Sequence, residues 1–507
     1  MKQFVRLGLF GSSHISHISE SNILKVLLFF TILRISFFSA SFPFFNNVDE
    51  PAHVDLVVKY SHAKLPTPTS SKMEPDSARL FVLYGTPEYL QPPQPKLEPF
   101  WKQLQKNDKI NLINNKIIRW MEIQNHESLS PPFYYAVWGI WHKLGNMLGL
   151  DKYSLYWLKI LNIFVYVGIM VTAYQLAKML VPGDVRFRIS VLMLLAVFPQ
   201  DVFYSINSDV PSAMIVALSW LMLINVGYGH CNRKYIWLTG VIISLAVLTK
   251  LSNLPFLVFS VIICGWIIFQ WHMQSILRKR WYWLIELGLC SIFPIILWCI
   301  YNYFIVGDIF ATSGKVEYLG WKVKDLSQIF HHPIFNLSGI KIFLENTLLS
   351  FWRGEFTWHS KHMVSPWMDH FYTTSSFIFF ASSPLIFLKA SKENRDRYYF
   401  LLCCSFLLII GYFSFLALIS VIYNYGKCWY PSESYPYMTS GRLIIGVLVP
   451  FVFIYIIGLQ SILKLLHLDR FLLLVVGCIS IAIMLNEVVL TMPAIKSKFN
   501  FFGLIYL

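Results

Sequence analysis

The chain has 507 residues, of which 56% are hydrophobic and only 14% are charged. A water-soluble protein of this length does not have such a composition, so it excludes a soluble globular enzyme and indicates an integral membrane protein. The formal net charge of +15 does not indicate nucleic-acid binding, because the Lys and Arg residues are scattered among short loops. The eight cysteines show no Cys-x-x-Cys spacing and predict neither a metal site nor a disulfide framework.

The apolar segments predict an all-α polytopic membrane protein, since a helix crosses a bilayer with about 20 apolar residues. Residues 1–22 are predicted to be a cytoplasmic tail, and the segment after it is predicted to be an anchor rather than a cleaved signal. This pattern predicts about 11 transmembrane helices, at 23–42, 153–178, 187–205, 209–229, 235–250, 251–271, 282–305, 371–389, 398–422, 441–464 and 471–491.

Two long polar segments interrupt the apolar pattern, at about 43–130 and 307–370. The first contains an amphipathic stretch, 110–123, that is typical of an interfacial helix. The next stretch, 131–150, is long enough to span but is predicted to be interfacial or re-entrant. If it does not span, the short cationic loops all lie with the N-terminus in the cytoplasm, as the positive-inside rule expects.

This topology predicts four regions and one shared outer face. They are the tail 1–22, a transmembrane catalytic module 23–306 with an outer loop 43–152, a second long outer loop 307–370, and C-terminal transmembrane helices 371–507. Because irregular backbone cannot face lipid, the two polar segments are the candidates for carrying function.

Two adjacent acids follow the first span directly. Asp49 and Glu50 precede Pro51, so either is predicted to act as a general base at the membrane surface or to cap the helix that begins there. His53 lies about one turn later, where it can orient a carboxylate, touch a substrate or sit in a solvated loop. Spacing alone leaves these alternatives open.

Several short motifs occur in one order along the chain. They are Asp-Glu-Pro-x-His at 49–53, Pro-Pro-Phe-Tyr-Tyr at 131–135, Asn-Ser-Asp at 207–209, Leu-Thr-Lys at 248–250, Ser-Phe-Trp-Arg at 350–353 and Ser-Gly-Arg-Leu at 440–443. In this order they resemble the GT-C superfamily of polytopic glycosyltransferases, above all its protein-mannosyltransferase and aminoarabinose-transferase-like branches. The chain departs from that pattern at Leu443, Thr357 and Lys159, where relatives often carry Tyr, Gly and Arg.

The resemblance implies an inverting glycosyltransferase with a GT-C-type bundle, in which Asp49 or Glu50 is the base and Asp49 is favoured. It implies that Asp209 positions the acceptor, the donor or a metal ion, although an N-cap is the alternative. Lys250, Arg353 and Arg442 are then expected around the donor phosphate, with snorkelling to lipid phosphates as the alternative for Lys250. His126 and Glu127 precede the Pro-Pro motif, where relatives often place a polar residue facing the cavity, and Glu127 is a candidate for substrate contact.

The predicted reaction moves a sugar from a polyprenyl-phosphate donor to an acceptor hydroxyl on a glycan, a lipid or a protein. The predicted location is the bacterial cytoplasmic membrane with the site facing outward, among membrane lipids and without nucleic acid. No dedicated metal site is predicted, and the only candidate cofactor is a divalent cation. The alternatives are a transporter or flippase of lipid-linked glycans and a non-catalytic membrane assembly factor of the same fold.

Overall fold

The computed structural model describes residues 19–46, 49–65, 67, 72–94, 98–102, 107–229, 231–389, 392–426 and 430–505. Within these residues the chain is an all-α polytopic membrane protein. Most of the predicted tail, 1–18, lies outside the described residues, as do Asn47 and Val48 of the segment that carries the two acids.

The first apolar segment and the first polar segment form five helices. The helices here are α1 (Glu20–Ser41), α2 (Glu50–Ser61), α3 (Pro75–Tyr84), α4 (Asn107–Met121) and α5 (Pro132–Met147). α1 begins where the Ser19 side chain accepts a hydrogen bond from the Asn22 amide, and it ends before Pro43, which disfavours helical backbone in the preceding residue. α5 has 16 residues and packs against α2.

The next six helices are α6 (Ser154–Leu180), α7 (Val185–Ala196), α8 (Ser212–Gly227), α9 (Arg233–Thr249), α10 (Leu254–Met273) and α11 (Leu277–Val306). The bounds predicted for one span, 187–205, are wrong because α7 ends at Ala196, three residues before Pro199. Residues 197–211 instead form buried irregular backbone, with a 3-10 turn at Asp201–Tyr204. Such backbone is tolerated near a membrane because it is enclosed by protein: the Asn162 amide, for example, donates to the carbonyls of Phe203 and Ser205.

The second polar segment folds into short elements and one longer helix. These are α12 (Ser313–Tyr318), β1 (Lys322–Val323), α13 (Leu326–Ile329), α14 (Leu337–Arg353), β2 (Thr357–Trp358) and β3 (Lys361–His362). β2 and β3 form an antiparallel hairpin. β1 pairs antiparallel with the later strand β4 (Tyr423–Asn424), which holds this segment against the C-terminal helices.

The C-terminal helices are α15 (Pro366–Ser382), α16 (Lys392–Ile422), α17 (Leu448–Leu465), α18 (Leu472–Ile495) and α19 (Phe501–Ile505). A 3-10 stretch, Gly441–Val447, leads directly into α17. The combined segment Gly441–Leu465 is 94% buried in its most apolar window, whereas the other long apolar helices leave much of their surface to lipid. α17 is therefore central among the described helices, and its first residues lie inside the protein.

Eight helical segments of the described residues are long and apolar enough to cross a membrane. They are Glu20–Ser41, Asp151–Leu180, Leu251–Met273, Leu277–Val306, Pro366–Leu388, Asn394–Ile422, Gly441–Leu465 and Asp469–Ile495. The other three predicted spans correspond to α7, α8 and α9, which have 12, 16 and 17 residues. The irregular segments beside these short helices supply side chains of the site.

Candidate functional site

Asp49 lies at the turn between α1 and α2, and its side chain faces away from the helix that it precedes. The residue has a positive φ of 68°, a conformation that Asp adopts more readily than most residues. Among the described residues, no amide of α2 donates to the Asp49 carboxylate. Oδ1 instead lies 2.9 Å from His126 Nε2, and Oδ2 lies 2.9 Å from Arg442 Nη2. The capping alternative for Asp49 is therefore wrong.

Arg442 connects Asp49 to the second predicted acid. Its Nη1 lies 3.1 Å from Asp209 Oδ2, while Lys250 Nζ lies 2.6 Å from Asp209 Oδ1. α8 begins after Asp209, at Ser212, and has no side-chain cap within the described residues, so the capping alternative for Asp209 is also wrong. Four residues that are far apart in the sequence thus form one continuous chain of ion pairs.

The position of Arg442 depends on the glycine before it. The Gly441 amide donates to Ser350 Oγ at 2.6 Å, and a Cβ on Gly441 would lie 2.0 Å from the Phe351 backbone nitrogen. Any larger residue would push the 3-10 stretch away from the end of α14. The Ser-Gly-Arg and Ser-Phe-Trp motifs therefore meet in space, and their contact directs Arg442 toward the two carboxylates.

A second group of side chains closes the other side of Asp49. Glu127 forms an ion pair with Lys315 of α12, and the Glu127 carboxylate also accepts a hydrogen bond from the Ser130 hydroxyl. The His126 ring stacks on Tyr318, with centroids 5.3 Å apart and planes 12° apart. The first and second polar segments thus meet over Asp49.

The charges of the cluster balance one another. Asp49, Asp209 and Glu127 are paired with Arg442, Lys250 and Lys315. We call these six residues together with His126 the acid–base cluster. It lies mostly inside the protein, and the Asp49 and His126 side chains are 19% and 17% exposed.

The electrostatics of the cluster keep Asp49 and Glu127 ionised. Burial alone raises the pKa of Asp49, but the hydrogen bond from His126 and the charges of Arg442 and Lys315 outweigh burial and hold the pKa well below its usual range. Burial also raises the pKa of Glu127, but the charge of Lys315 outweighs burial, so the pKa of Glu127 is lowered as well. At neutral pH both groups are carboxylates that accept hydrogen bonds but cannot donate them.

Glu50 has a very different environment, although it is the next residue after Asp49. Its side chain is fully buried, and its two oxygens accept hydrogen bonds from the Phe45 amide at 2.6 Å and the Ile206 amide at 2.9 Å. Burial raises the pKa of Glu50, and the charge of Lys159 and the backbone amides offset this only in part. Glu50 therefore connects the turn after α1 to the buried segment 197–211 and is not open to a substrate.

His53 and Arg353 lie outside the chain of ion pairs. His53 is buried in α2, with Nδ1 2.8 Å from the Tyr135 hydroxyl and Nε2 unpartnered within the described part of the chain. Burial lowers the pKa of His53 to about 3, so the ring is neutral, and the solvated-loop alternative is wrong. Arg353 Nε pairs with Asp369 Oδ1 at 2.8 Å, so its side chain is engaged away from the acid–base cluster.

One set of side chains has the composition of a divalent-cation site. Ligand atoms of Asp49, His126 and Glu127 lie within 4.8 Å of one another. Carboxylate oxygens with one imidazole suit several divalent metals. A metal ion would have to displace Arg442 and Lys315, which already neutralise these carboxylates.

Sequence reasoning brought together Asp49, Asp209, Lys250 and Arg442 but did not select Lys315 or Tyr318, and it noted His126 only as the neighbour of Glu127. Lys315 and Tyr318 belong to a helix of six residues without a recognisable motif. The only signal in the sequence was their position in a polar segment predicted to lie on the same side as Asp49.

The apolar helices and the enclosed charged cluster define a multi-pass integral membrane protein. Residues 28–426, well over half of the chain, match the model of the family described as "Predicted membrane protein (DUF2142)", and the chain belongs to this family. No curated protein and no solved structure matches the chain. The matched range contains every member of the acid–base cluster except Arg442.

Proposed function

We propose that the protein is an inverting glycosyltransferase that moves a sugar from a polyprenyl-phosphate donor to an acceptor hydroxyl. The observation that carries this proposal is the position of Asp49, held between His126 and Arg442 beside two further cations at the end of an apolar bundle. The donor contributes a phosphate and a long apolar chain, and this site offers cations next to lipid-facing helices.

Three cations are available for the phosphate of the donor. Arg442 presents a planar fork of N–H donors, which matches phosphate oxygens well, and Lys250 and Lys315 supply point charges. An incoming phosphate exchanges places with the carboxylates that these cations now contact. The same cations then stabilise the negative charge that develops on the leaving lipid phosphate.

The reaction needs one displacement at C1 of the sugar. The acceptor oxygen forms the new bond to C1, the bond between C1 and the phosphate oxygen breaks, and its electron pair leaves with the lipid phosphate. The acceptor proton goes to a base at the Asp49 centre, so no glycosyl-enzyme intermediate is required. The acceptor is a glycan, a lipid or a protein with a free hydroxyl.

The proposed location is the bacterial cytoplasmic membrane with the site facing outward. The basis is the distribution of cations at helix ends, such as Arg186 and Arg188 in the first turn of α7 and Arg278 to Arg280 in the first turn of α11, which the positive-inside rule assigns to the cytoplasm. The acid–base cluster lies at the opposite ends of these helices. An outward site has no access to cytoplasmic nucleotide sugars, which is consistent with a donor carried by a lipid.

The test is a transfer assay with purified protein in detergent and labelled polyprenyl-phosphate sugars, presented with glycan, lipid and peptide acceptors. We expect glycoside formation by the wild type and a loss of at least about 100-fold in Asp49→Asn, because general bases contribute about 10²–10⁴ to rates. Asp151→Asn is the matched control, since Asp151 is exposed and begins a 3-10 turn away from the cluster. Absence of product with every donor and acceptor would overturn the proposal, and movement of labelled lipid across vesicles would then indicate a flippase.

A further inference from the structure

Large apolar side chains are exposed in the first half of the second polar segment, outside the long apolar helices. Five of them are between 60% and 87% exposed, and we call them the apolar strip: Val323, Leu326, Phe330, Phe335 and Leu337. Leu326 and Phe330 lie one turn apart on the short helix α13 and its C-terminal cap, so they share a face. Exposed apolar groups gathered in one segment indicate a surface that binds something apolar.

The protein itself supplies no core for most of this segment. The structure describes every residue from 312 to 331, and none of these residues is buried. The elements α12, β1 and α13 within this range bury no side chain. Ordering one residue costs about 1–2 kcal/mol of conformational entropy, and apolar burial is the main term that offsets this cost. The segment is therefore expected to gain its apolar contacts from outside the chain.

Both ends of residues 313–323 are attached to membrane-spanning helices. α12 begins at Ser313, after the short connection 307–312 that follows α11. β1 pairs with β4, so Val323 lies opposite Tyr423, the residue that follows the end of α16. Both α11 and most of α16 belong to the segments that are long and apolar enough to cross a membrane. This part of the chain is therefore held at the level where two spans leave the bilayer.

The lipid-facing surface of α11 continues toward the apolar strip. Phe304, in the last turn of α11, is 79% exposed, and Ile309, in the connection to α12, is 51% exposed. The charge of the segment also suits a lipid surface, because residues 319–344 contain three lysines and only one acid, Asp325. Apolar and aromatic side chains interspersed with lysines are typical of a surface that enters the headgroup region of a bilayer.

We infer that the apolar strip lies in the membrane interface beside the ends of α11 and α16, and that the bilayer thereby holds α12 over the acid–base cluster. Lys315 and Tyr318 of α12 contact the cluster through the ion pair with Glu127 and the ring stack on His126. The segment thus contacts the cluster on one side and lipid on the other. Loss of the lipid contact would loosen α12 and these two side chains. The inference does not depend on the proposed function.

The first test is photo-crosslinking of protein in vesicles made of phosphatidylethanolamine and phosphatidylglycerol. The variant Phe330→p-benzoylphenylalanine is compared with the same substitution at Gln328, which is also exposed and lies on the opposite face of α13 by helical spacing. We expect at least about tenfold more phospholipid adduct, identified by mass spectrometry, at position 330 than at position 328. Equal yields, or adducts of position 330 with a second protein chain in place of lipid, would overturn the inference.

The second test measures whether the lipid contact holds α12. Phe330→Asp places a charge in the apolar strip, and Gln328→Asp places the same charge on the opposite face. In the same vesicles we expect hydrogen exchange at the amides of Val316 and Leu319, which donate to the carbonyls of Thr312 and Lys315, to become at least about tenfold faster in Phe330→Asp only.

The buried helix α17 is the internal control for this exchange measurement. Its amides should exchange at the wild-type rate in both variants, which separates a local release of α12 from a loss of fold. Phe330→Ser is a milder second variant, in which we expect a smaller acceleration at the same α12 amides. Unchanged exchange of α12 in both Phe330 variants would show that the contacts with the cluster hold α12 without lipid. Both tests are independent of transfer activity.

Discussion

Two ionic clusters in this protein differ in how much of their charged side chains is exposed. Deep in the bundle, Arg34 of α1 binds Glu487 of α18 at 2.7 Å, the Tyr204 hydroxyl at 2.6 Å and the Phe198 carbonyl at 3.0 Å. The side chains of Arg34 and Glu487 are only 3% and 4% exposed. In the acid–base cluster, by contrast, Asp49 and His126 remain nearly one-fifth exposed.

The comparison separates a fully buried ion pair from a partly exposed cluster that the proposed function treats as a site. Arg34 connects α1 and α18 to the irregular segment 197–211, where carbonyls released by the early end of α7 need donors. Every cation of the acid–base cluster is paired with a carboxylate, and in the proposed function the donor phosphate replaces these carboxylates. We therefore expect substitutions in the first cluster to affect folding and those in the second to affect activity.

The largest effect on stability is expected for Arg34→Met. Removing one partner of a buried pair leaves the other charge uncompensated, which costs about 3–5 kcal/mol. Unfolding in detergent, followed by tryptophan fluorescence, measures the loss. Arg186→Met is the control, because the Arg186–Asp469 pair is about 40% exposed and should contribute less than about 1 kcal/mol. Equal losses in the two variants would contradict the distinction between the clusters.

An intermediate effect is expected for Glu50→Gln. The amide has one acceptor oxygen where the carboxylate has two, so either the Phe45 or the Ile206 amide is left without a partner, at about 1–3 kcal/mol. We expect less folded protein, with the kcat of the folded fraction close to that of the wild type. If Glu50→Gln instead folds normally and loses transfer activity, Glu50 takes part in the chemistry and the contrast with Asp49 is wrong.

The smallest effect concerns Asp201, which lies between the two clusters and lines a small cavity with Tyr204 and Glu487. Burial and the nearby charge of Glu355 raise its pKa to about 7, although the Glu355 amide and the charge of Arg442 act against them. A raised pKa means that the folded state binds the proton more tightly. This contribution to stability is complete below the unfolded pKa and is lost as pH rises through 7.

Between pH 6 and 8 the wild type should therefore lose about 1 kcal/mol of unfolding free energy from this group. Asp201→Asn should show no such loss of unfolding free energy, because an asparagine side chain does not titrate. The variant should still fold, since its side-chain oxygen can accept from the Glu355 backbone amide. Unfolding curves of both proteins at several pH values measure the difference, and Asp151→Asn is again the control. Parallel pH profiles for wild type and Asp201→Asn would contradict the shifted pKa.

Local patterns in the sequence predicted the class of the protein and most of its helices. Hydropathy is a property of consecutive residues, so each of the eleven apolar windows corresponds to a helix, and the Pro-Pro segment begins the short helix α5 as expected. The motifs also selected Asp49, Asp209, Lys250 and Arg442, which the structure joins by ion pairs. Pro199 is a local signal that α7 ends early, but hydropathy alone does not detect it, so the span predicted at 187–205 was too long.

Only the tertiary structure decided which of two adjacent acids is available. Asp49 and Glu50 look equivalent in the sequence, but a positive φ turns Asp49 toward Arg442, while Glu50 enters the helix and is enclosed by backbone amides. Arg442 is 393 residues away from Asp49, and Lys315 is 188 residues away from Glu127. Such pairings depend on where helix ends meet in space, and periodicity and hydropathy, which describe neighbours along the chain, contain no information about that.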